Sequence, residues 1–409
     1  MRTNWKTKKL EDICDFHSGL WKGKTPPYVR VGVIRNTNFT KDGGLDYSDV
    51  ASLDVEKNQF LTRALRYGDI ILEKSGGGPK QPVGRVAVFN RESGNFSFSN
   101  FTSAIRIKNS KEVDCKYLHK YLFASYISGA TETMQRHSTG IRNLKLSEYK
   151  QIPVPIPSLQ EQKRIGAVLD EAFAAIAKAK ENAEKNLDNA HKLYESHIQN
   201  IFTQSLTGWK PTTLGETCDF HGGGTPSKAI SRYWQGKIPW VSPKDMKFEV
   251  VSDSIDHISR EAIEGSATSL IPKGSVLMVV RSGILARIVP LALTGCELTI
   301  NQDIKAICPK SIIKSRFLYF LLESKMHELL SLVSRGATVH RLITDQIRSL
   351  SFYLPPQGEQ DQIIKGIETM RKGTQRLEFI NQQKLSDLEE LKKSILQKAF
   401  SGELVGARS

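Results

Sequence analysis

No run of about 18 consecutive apolar residues occurs in this 409-residue chain, so a membrane-spanning helix is not expected. The start, Met1-Arg2-Thr3-Asn4-Trp5-Lys6, is polar and basic, with no apolar stretch behind it. It is therefore not expected to be a signal peptide. The five cysteines, at 14, 115, 218, 296 and 308, are odd in number and form no Cys-x-x-Cys pair. They read as reduced thiols in a cytoplasmic protein, not as disulfides or a zinc site. The nine histidines add no metal-ligand spacing. Ser75-Gly76-Gly77-Gly78-Pro79-Lys80 is rich in glycine but lacks the Gly-Lys-Ser/Thr ending of a phosphate loop, so a flexible basic loop is expected there. No Gly-rich cofactor turn follows a strand near Thr25-Pro26-Pro27-Tyr28, and Thr cannot supply the amide or carboxylate that would hold a flipped base. These absences leave no catalytic, cofactor-binding or metal-binding residue to nominate.

What is present is written twice. Leu10, Cys14-Asp15-Phe16-His17 and Gly19 return as Leu214, Cys218-Asp219-Phe220-His221 and Gly223. Ile156-Pro157 and Glu161-Gln162 return as Leu354-Pro355 and Glu359-Gln360, and Ser196 and Phe202 as Ser394 and Phe400. The repeat far exceeds the roughly 20–50 residues of a solenoid unit. Each copy is instead a whole globular domain plus one long helix. Recurrence makes Cys14 and Cys218 core residues, and gives His17 and His221 a structural hydrogen bond.

The net charge of +15 is unevenly placed. Residues 1–157 carry 25 Lys/Arg against 15 Asp/Glu, and residues 207–356 carry 18 against 13. The stretches 158–206 and 357–402 nearly cancel, at 6 against 7 and 8 against 7. The excess positive charge thus sits on the globular copies, which favours a polyanionic partner.

In the first copy short apolar or β-branched runs, Arg30–Ile34, Asp69–Leu72, Arg85–Phe89 and Ala104–Ile107, are punctuated by Gly, Asn and Asp. A helix is expected from Lys116 to Ser128, with Tyr117, Leu118, Tyr121 and Leu122 inward. The second copy repeats the order, with a strand at Ser275–Val280 and a helix at Arg316–Leu322. Mixed short strands with few helices indicate an α+β fold. Pro153-Val154-Pro155-Ile156-Pro157 and Leu354-Pro355-Pro356 each stop a helix and mark a hinge. A long proline-free amphipathic stretch follows each. In the first the seam is Ile165, Leu169, Ala172, Ile176, Ala179 and Ala183, resuming at Leu187, Ala190, Tyr194 and Ile201. In the second it is Ile363, Ile367, Met370, Leu377, Leu388, Leu391 and Ile395. A lone rod with an apolar stripe needs a partner, and repeat symmetry makes the two rods an antiparallel coiled coil. Four segments are therefore expected: globular domains at 1–157 and 207–356, and long helices at 158–206 and 357–409, the last with a short tail.

The order of motifs resembles a known family. Gly222-Gly223-Gly224-Thr225-Pro226-Ser227-Lys228, Tyr233-Trp234 and Gly236-Lys237-Ile238-Pro239-Trp240-Val241 resemble the opening of a target-recognition domain. With the Pro-to-Glu-Gln helix starts and the endings Phe202-x3-Leu206-x-Gly208 and Phe400-Ser401-Gly402-Glu403-Leu404, the whole chain resembles the specificity subunit of type I restriction-modification systems. The first copy departs from the pattern, with Gly23-Lys24-Thr25-Pro26-Pro27 and no Ile-Pro-Trp. The resemblance implies a non-catalytic reader of double-stranded DNA. Each domain reads one half of a split, asymmetric target, and the helices set the spacer and dock two DNA methyltransferase (modification) subunits. It also implies that S-adenosylmethionine, ATP and Mg belong to partner subunits, including restriction motor-nuclease subunits.

Basic and amide residues in loops are the candidates for DNA contact, since Arg suits guanine, Asn and Gln suit adenine, and Lys mostly holds phosphates. In the first copy they are Lys22, Lys24, Arg35, Asn36, Lys74, Lys80, Gln81, Arg85, His137, Arg142 and Asn143. In the second they are Lys228, Arg232, Lys244, Arg281, Arg287, Arg335, His340 and Arg341. Arg281-Ser282-Gly283 matches Lys74-Ser75-Gly76, and Arg287 matches Arg85. Two other readings stand beside this one. A fused methyltransferase would need the cofactor motif that is missing, and a coiled-coil scaffold without a DNA role would not need charge confined to the globular copies.

Overall fold

A computed structural model describes residues 5–21, 23–78, 81–138, 141–203, 208–336 and 339–405. Contacts divide the chain into two units, Met1–Glu184 with Gln383–Ser409, and Lys185–Gln382. Lys22 and Lys80 lie outside the described residues.

In the first unit four strands form an antiparallel sheet in the order Cys14–Ser18, Thr102–Ile107, Ile70–Glu73, Val86–Val88. Ile70, Ile71 and Leu72 are all fully buried, which explains an unbroken apolar run in place of alternation. A second sheet pairs Tyr28–Ile34 antiparallel with Ala51–Glu56 and parallel with Phe96–Phe98. A third joins Gln135–Ser138, Ile141–Leu144 and Ser75–Gly77. Ser75–Gly77, expected as a flexible loop, is thus a strand. Lys6–Lys9 pairs with Pro153–Ile156, so the proline hinge is held in a two-stranded ribbon. The helix spans Cys115–Ile127, one residue earlier at each end than expected. Asp114 caps it by accepting the Tyr117 backbone N–H at 3.0 Å.

The second unit repeats this plan. Lys210–Thr213 pairs with Ser351–Leu354. The main sheet runs Cys218–Gly222, Ile304–Pro309, Val276–Val279, Leu291–Thr294, with Val250–Val251 added in parallel at one edge. Ile238–Val241 pairs antiparallel with Asp256–Ile258 and parallel with Thr299–Ile300. A ten-residue helix, Ser315–Ser324, fills the place of Cys115–Ile127. Equivalent glycines mark equivalent close approaches. A Cβ on Gly19 would lie 1.9 Å from the Ser99 carbonyl oxygen, and one on Gly223 would lie 2.1 Å from that of Asn301.

Each of the two rods is a single helix of 45 residues, Leu159–Thr203 and Gln357–Ser401, about 67 Å long at 1.5 Å per residue. Within the first unit Lys180 Nζ meets Glu389 at 2.8 Å and Lys392 lies over Phe173, so the rods run antiparallel there. Within the second unit His191 meets Glu378 at 3.1 Å and Arg371 lies over Tyr194, again antiparallel. Each domain core takes in both rods: Ile165, Leu169, Leu396 and Ala399 in the first unit, and Ile198, Phe202 and Ile367 in the second.

The first rod's seam is close to the expected one, with Ile165, Leu169, Ala183 and Ala190 buried and Ile176 half-buried. The second rod's seam is not the apolar set. Ile367 is buried and Ile363, Leu388 and Ile395 are half-buried, but Leu377 and Leu391 are 49 % and 46 % exposed. The less exposed positions step by four and three through Ile367, Arg371, Thr374, Glu378, Asn381, Leu385, Leu388, Lys392, Ile395 and Ala399. Several seam places are therefore polar, and apolarity alone points beside them.

His17 also differs from expectation. Its Nε2 is buried without a hydrogen-bond partner, and burial lowers its pKa, while His221 is exposed. Cys14 and Cys218 are core residues, and burial raises their thiol pKa values to about 12 and about 11.

Candidate nucleic-acid interface

Most of the first copy's described candidates converge through hydrogen bonds. The turn after Tyr28–Ile34 is closed by Asn38 Oδ1, which accepts the Arg35 backbone N–H at 2.9 Å. Asn36 Nδ2 donates to the Ser75 carbonyl at 2.8 Å, and Ser75 Oγ bonds the Asn143 side chain. Arg142 pairs in register with Gly77 and donates to Gln135 Oε1 at 3.4 Å. Three chain segments distant in sequence thus meet at one face.

Behind that face is a buried ion pair. Glu73, 1 % exposed, accepts Arg85 Nε at 2.7 Å and Nη2 at 3.1 Å, and Arg85 also donates to the Asn36 carbonyl. The Gln81 amide lies against the same guanidinium. Arg85 therefore props the turn from behind and has little of its guanidinium left to offer outward. Lys74 is half-buried, and burial lowers its pKa. Arg35 reaches Asp49 at 3.3–3.5 Å, and Lys24 is exposed. His137 sits in the strand Gln135–Ser138, its backbone in register with Arg142.

In the second unit Arg281–Ser282 pairs with His340–Arg341, which sets Arg281 opposite Arg341. Ser334 and Arg341 form a bridge beside them, next to the exposed Arg335. Arg281 is exposed and 3.9 Å from Asp303. The turn equivalent to Arg35–Asn38 is Ser242–Asp245, where Asp245 accepts the Ser242 N–H at 2.9 Å. Lys244 lies in that turn and pairs with Asp256 at 2.7 Å. Arg232 pairs with Glu261 at 2.9 Å, and Lys228 is exposed. Arg287 is placed differently. It lines a cavity of about 460 Å³ with Ile198, Glu323, His327 and Arg371, beside the rods.

Equivalent backbone thus carries different side chains in the two units. Arg35-Asn36-Thr37 stands against Ser242-Pro243-Lys244. The Lys74 and Val280 carbonyls accept the Leu144 and Leu342 N–H groups, so Lys74 stands against Val280 and Ser75 against Arg281, one residue off the match expected from sequence. The Phe101 carbonyl accepts the Lys74 and Ser75 N–H groups at 3.0 and 3.2 Å, and the Asp303 carbonyl accepts those of Val280 and Arg281 at 2.8 and 3.2 Å, so Phe101 stands against Asp303. Phe101 and Asp303 were not among the sequence candidates. Only an alignment of the two copies through Phe96–Phe101 and Leu298–Asp303 would have flagged them, and the side chains at the end of that stretch are too dissimilar to suggest it.

Among the described residues no group of three or more His, Cys, Asp or Glu is arranged to hold a metal ion. No helix among the described residues is long and apolar enough to cross a membrane.

Comparison with known proteins agrees with this geometry. The model of the type I restriction modification DNA specificity domain matches twice, at residues 2–185 and 207–390. The chain is 34% identical over 279 residues to the Escherichia coli type I restriction enzyme EcoR124I/EcoR124II specificity subunit, covering 66% of this chain and 67% of that relative. It is 26% identical over 401 residues to the StySPI specificity subunit of Salmonella potsdam, covering 92% and 82%. Among solved structures, a chain from a study of assembly and conformational transition of the type I R-M system superposes with a TM-score of 0.80 at 17% identity, covering 98% of this chain and 99% of that one. The HsdS subunit of Thermoanaerobacter tengcongensis superposes with a TM-score of 0.63 at 17% identity, covering 98% and 97%. The doubled domain, the paired rods and the twofold match together make this chain a member of the type I restriction-modification specificity subunits, the non-catalytic DNA-specificity component of those systems.

Proposed function

We propose that the two recognition domains, residues 1–157 and 207–356, each read one half of a bipartite, asymmetric double-stranded DNA target. The helices 158–206 and 357–402 act as the ruler between them. The observation that carries this reading is that the two units share backbone geometry at the candidate face while Arg35/Ser242, Asn36/Pro243, Ser75/Arg281 and Phe101/Asp303 differ. One scaffold with two sets of side chains suits two different half-sites. In the first unit Arg35, Asn36, Lys74, Arg142 and Asn143 are the proposed contacts, with Lys24 and His137 beside them. In the second they are Arg281, Arg335, His340 and Arg341, with Lys228, Arg232 and Lys244 at the margin. Arg85 and Gln81 act by holding the first face in shape.

The rods are proposed to dock two modification subunits, with motor-nuclease subunits joining for cleavage in the cytoplasm. Val168, Leu193, Leu377, Phe379, Ile380 and Leu391 are exposed on the rods, and exposed apolar side chains of this number support a protein interface there. S-adenosylmethionine, ATP and Mg are then the business of those partners. Reconstitution tests the division of labour. The chain alone should transfer no methyl group to DNA, and the complex with a modification subunit should do so at one bipartite sequence. Methyl transfer by the chain alone would overturn the reading.

A further inference from the structure

The first unit holds an apolar cavity of about 470 Å³ at the edge of its candidate DNA face. Leu20, Val33 and Val55, all buried, form its floor. Leu53 and Phe101, 46 % and 48 % exposed, wall it, and Arg35 stands at its rim. Phe101 is held in place. Its carbonyl takes the backbone N–H groups of Lys74 and Ser75, at 3.0 and 3.2 Å. Gly76, at φ +96°, brings bare backbone against its ring, and a Cβ there would lie 3.5 Å from Phe101 Cδ1 and 3.1 Å from Asn36 Nδ2. A half-exposed aromatic ring fixed beside Arg35, Asn36 and Lys74 costs hydrophobic stabilisation and gains nothing for the domain core. The equivalent place in the second unit has Asp303, whose side chain accepts from Asn301 Nδ2 at 3.1 Å and offers no aromatic surface.

We propose that this cavity receives a nucleobase everted from the half-site bound by the first unit, with Phe101 as the surface on which it stacks. The inference rests on the reading that this unit faces a half-site. The cavity's size suits a planar heterocycle, its floor is apolar as stacking requires, and cations at its margin hold the flanking phosphates. Eversion here serves recognition, since the chain has no chemistry to perform on the base.

Eversion is easiest where pairing is already broken. The test therefore uses the full chain assembled with its modification subunits. Each base pair of the first half-site is replaced in turn by a base opposite an abasic analogue, and binding is measured. At one position the affinity should rise by about tenfold. Leu53→Trp, which fills the cavity from its exposed wall, should abolish that rise and leave discrimination in the second half-site unchanged. Phe101→Ala should do the same while leaving the cavity open, and lower affinity for the intact target by about tenfold. The proposal is overturned if no position gains affinity when unpaired, or if the gain survives both substitutions. It is equally overturned if uracil in place of a thymine lowers affinity at a position that shows no gain when unpaired, since the cavity would then take a methyl group from the groove. Wild-type binding indifferent to every change in the first half-site would instead sink the two-reader reading on which the proposal rests.

Discussion

Gln162 Oε1 accepts the backbone N–H of Asp114 at 2.9 Å, which fastens the first turn of one rod to the N-cap of the helix Cys115–Ile127. Its Nε2 donates to the carbonyls of Glu112 and Pro157, at 2.8 and 2.9 Å. In the second unit Gln360 repeats every bond, with the Lys314 N–H at 2.9 Å and the carbonyls of Ile312 and Pro355 at 3.0 Å. Both glutamines are fully buried. The ruler proposed for the rods needs a fixed angle between each rod and its domain. A saturated, buried amide provides that angle, because no other rotation satisfies all three backbone groups.

Gln162→Leu and Gln360→Leu should each leave one N–H and two carbonyls buried without partners. The expected cost is roughly 1–3 kcal/mol per substitution, read as a lower midpoint in urea unfolding with little change in slope. A shift within experimental error would show that water replaces the amide and that the clamp does not set the angle.

The residue correspondence that relates Gln162 to Gln360 also relates Phe173 to Arg371 and Tyr194 to Lys392. The pairs these residues form have exchanged roles. In the first unit Lys392 of the second rod lies 4.9 Å from the ring of Phe173 and 5.0 Å from that of Phe123. In the second unit Arg371 of the second rod lies 5.4 Å from Tyr194 and 5.0 Å from Phe320, and is ion-paired with Glu249 and Glu323. Burial lowers the pKa of Lys392. Burial opposes the charge on Arg371 as well, but Glu323, Tyr194 and Glu249 more than offset it and hold the guanidinium charged. Arg371→Met should cost about 3 kcal/mol, because it leaves the Glu323 carboxylate with only the Tyr194 hydroxyl and takes from Glu249 one of its two arginines. Arg371→Lys should recover little of that, since an ammonium cannot both bridge two carboxylates and lie flat on the rings. Thermal unfolding of the three proteins gives the answer, and equal stability of wild type and Arg371→Lys would contradict it.

His119, 4 % exposed in the first unit, has its pKa lowered to about 4, first by burial and then by the neighbouring Lys120. The unfolded chain therefore binds the proton more readily than the folded one between about pH 6.5 and pH 4. The stability this neutral imidazole contributes is fully present above pH 6.5 and is lost as the pH falls toward 4. The loss should be on the order of 2–3 kcal/mol. His119→Leu should flatten the stability–pH curve across that window and leave it unchanged above pH 7. A mutant curve parallel to the wild type through pH 4–6.5 would show that another group titrates there.

Much of this architecture was legible before the structure. The duplication, the two proline hinges, the main strands and the helical rods follow from repeated residues, from proline's missing N–H and from periodicity. The first rod's seam was readable because Ile165, Leu169, Ala183 and Ala190 are apolar and also face inward. The second rod's seam was not, because Arg371, Thr374, Asn381 and Lys392 occupy seam places, two of them as cations on aromatic rings. Leu377 and Leu391 are apolar and face outward. At the candidate face the turn around Arg35-Asn36 could be found from residue type. That Arg85 is bound to Glu73 depended on a pairing across strands, and the place of Phe101 on the tertiary approach of Gly76.

The ruler can be tested by changing its length. Adding or removing one helical turn, roughly four residues, next to Glu184 should change the spacer between the half-sites and leave both half-site sequences as they were. An unchanged spacer would show that the distance is set elsewhere in the complex.

The two copies are expected to read their half-sites independently of each other. Exchanging residues 212–354 for the corresponding domain of another specificity subunit, followed by methylome sequencing of cells carrying the chimera, tests it most directly. One half of the methylated sequence should change, and the other half and the spacer should persist. A chimera that folds and methylates but has altered both half-sites together would contradict it.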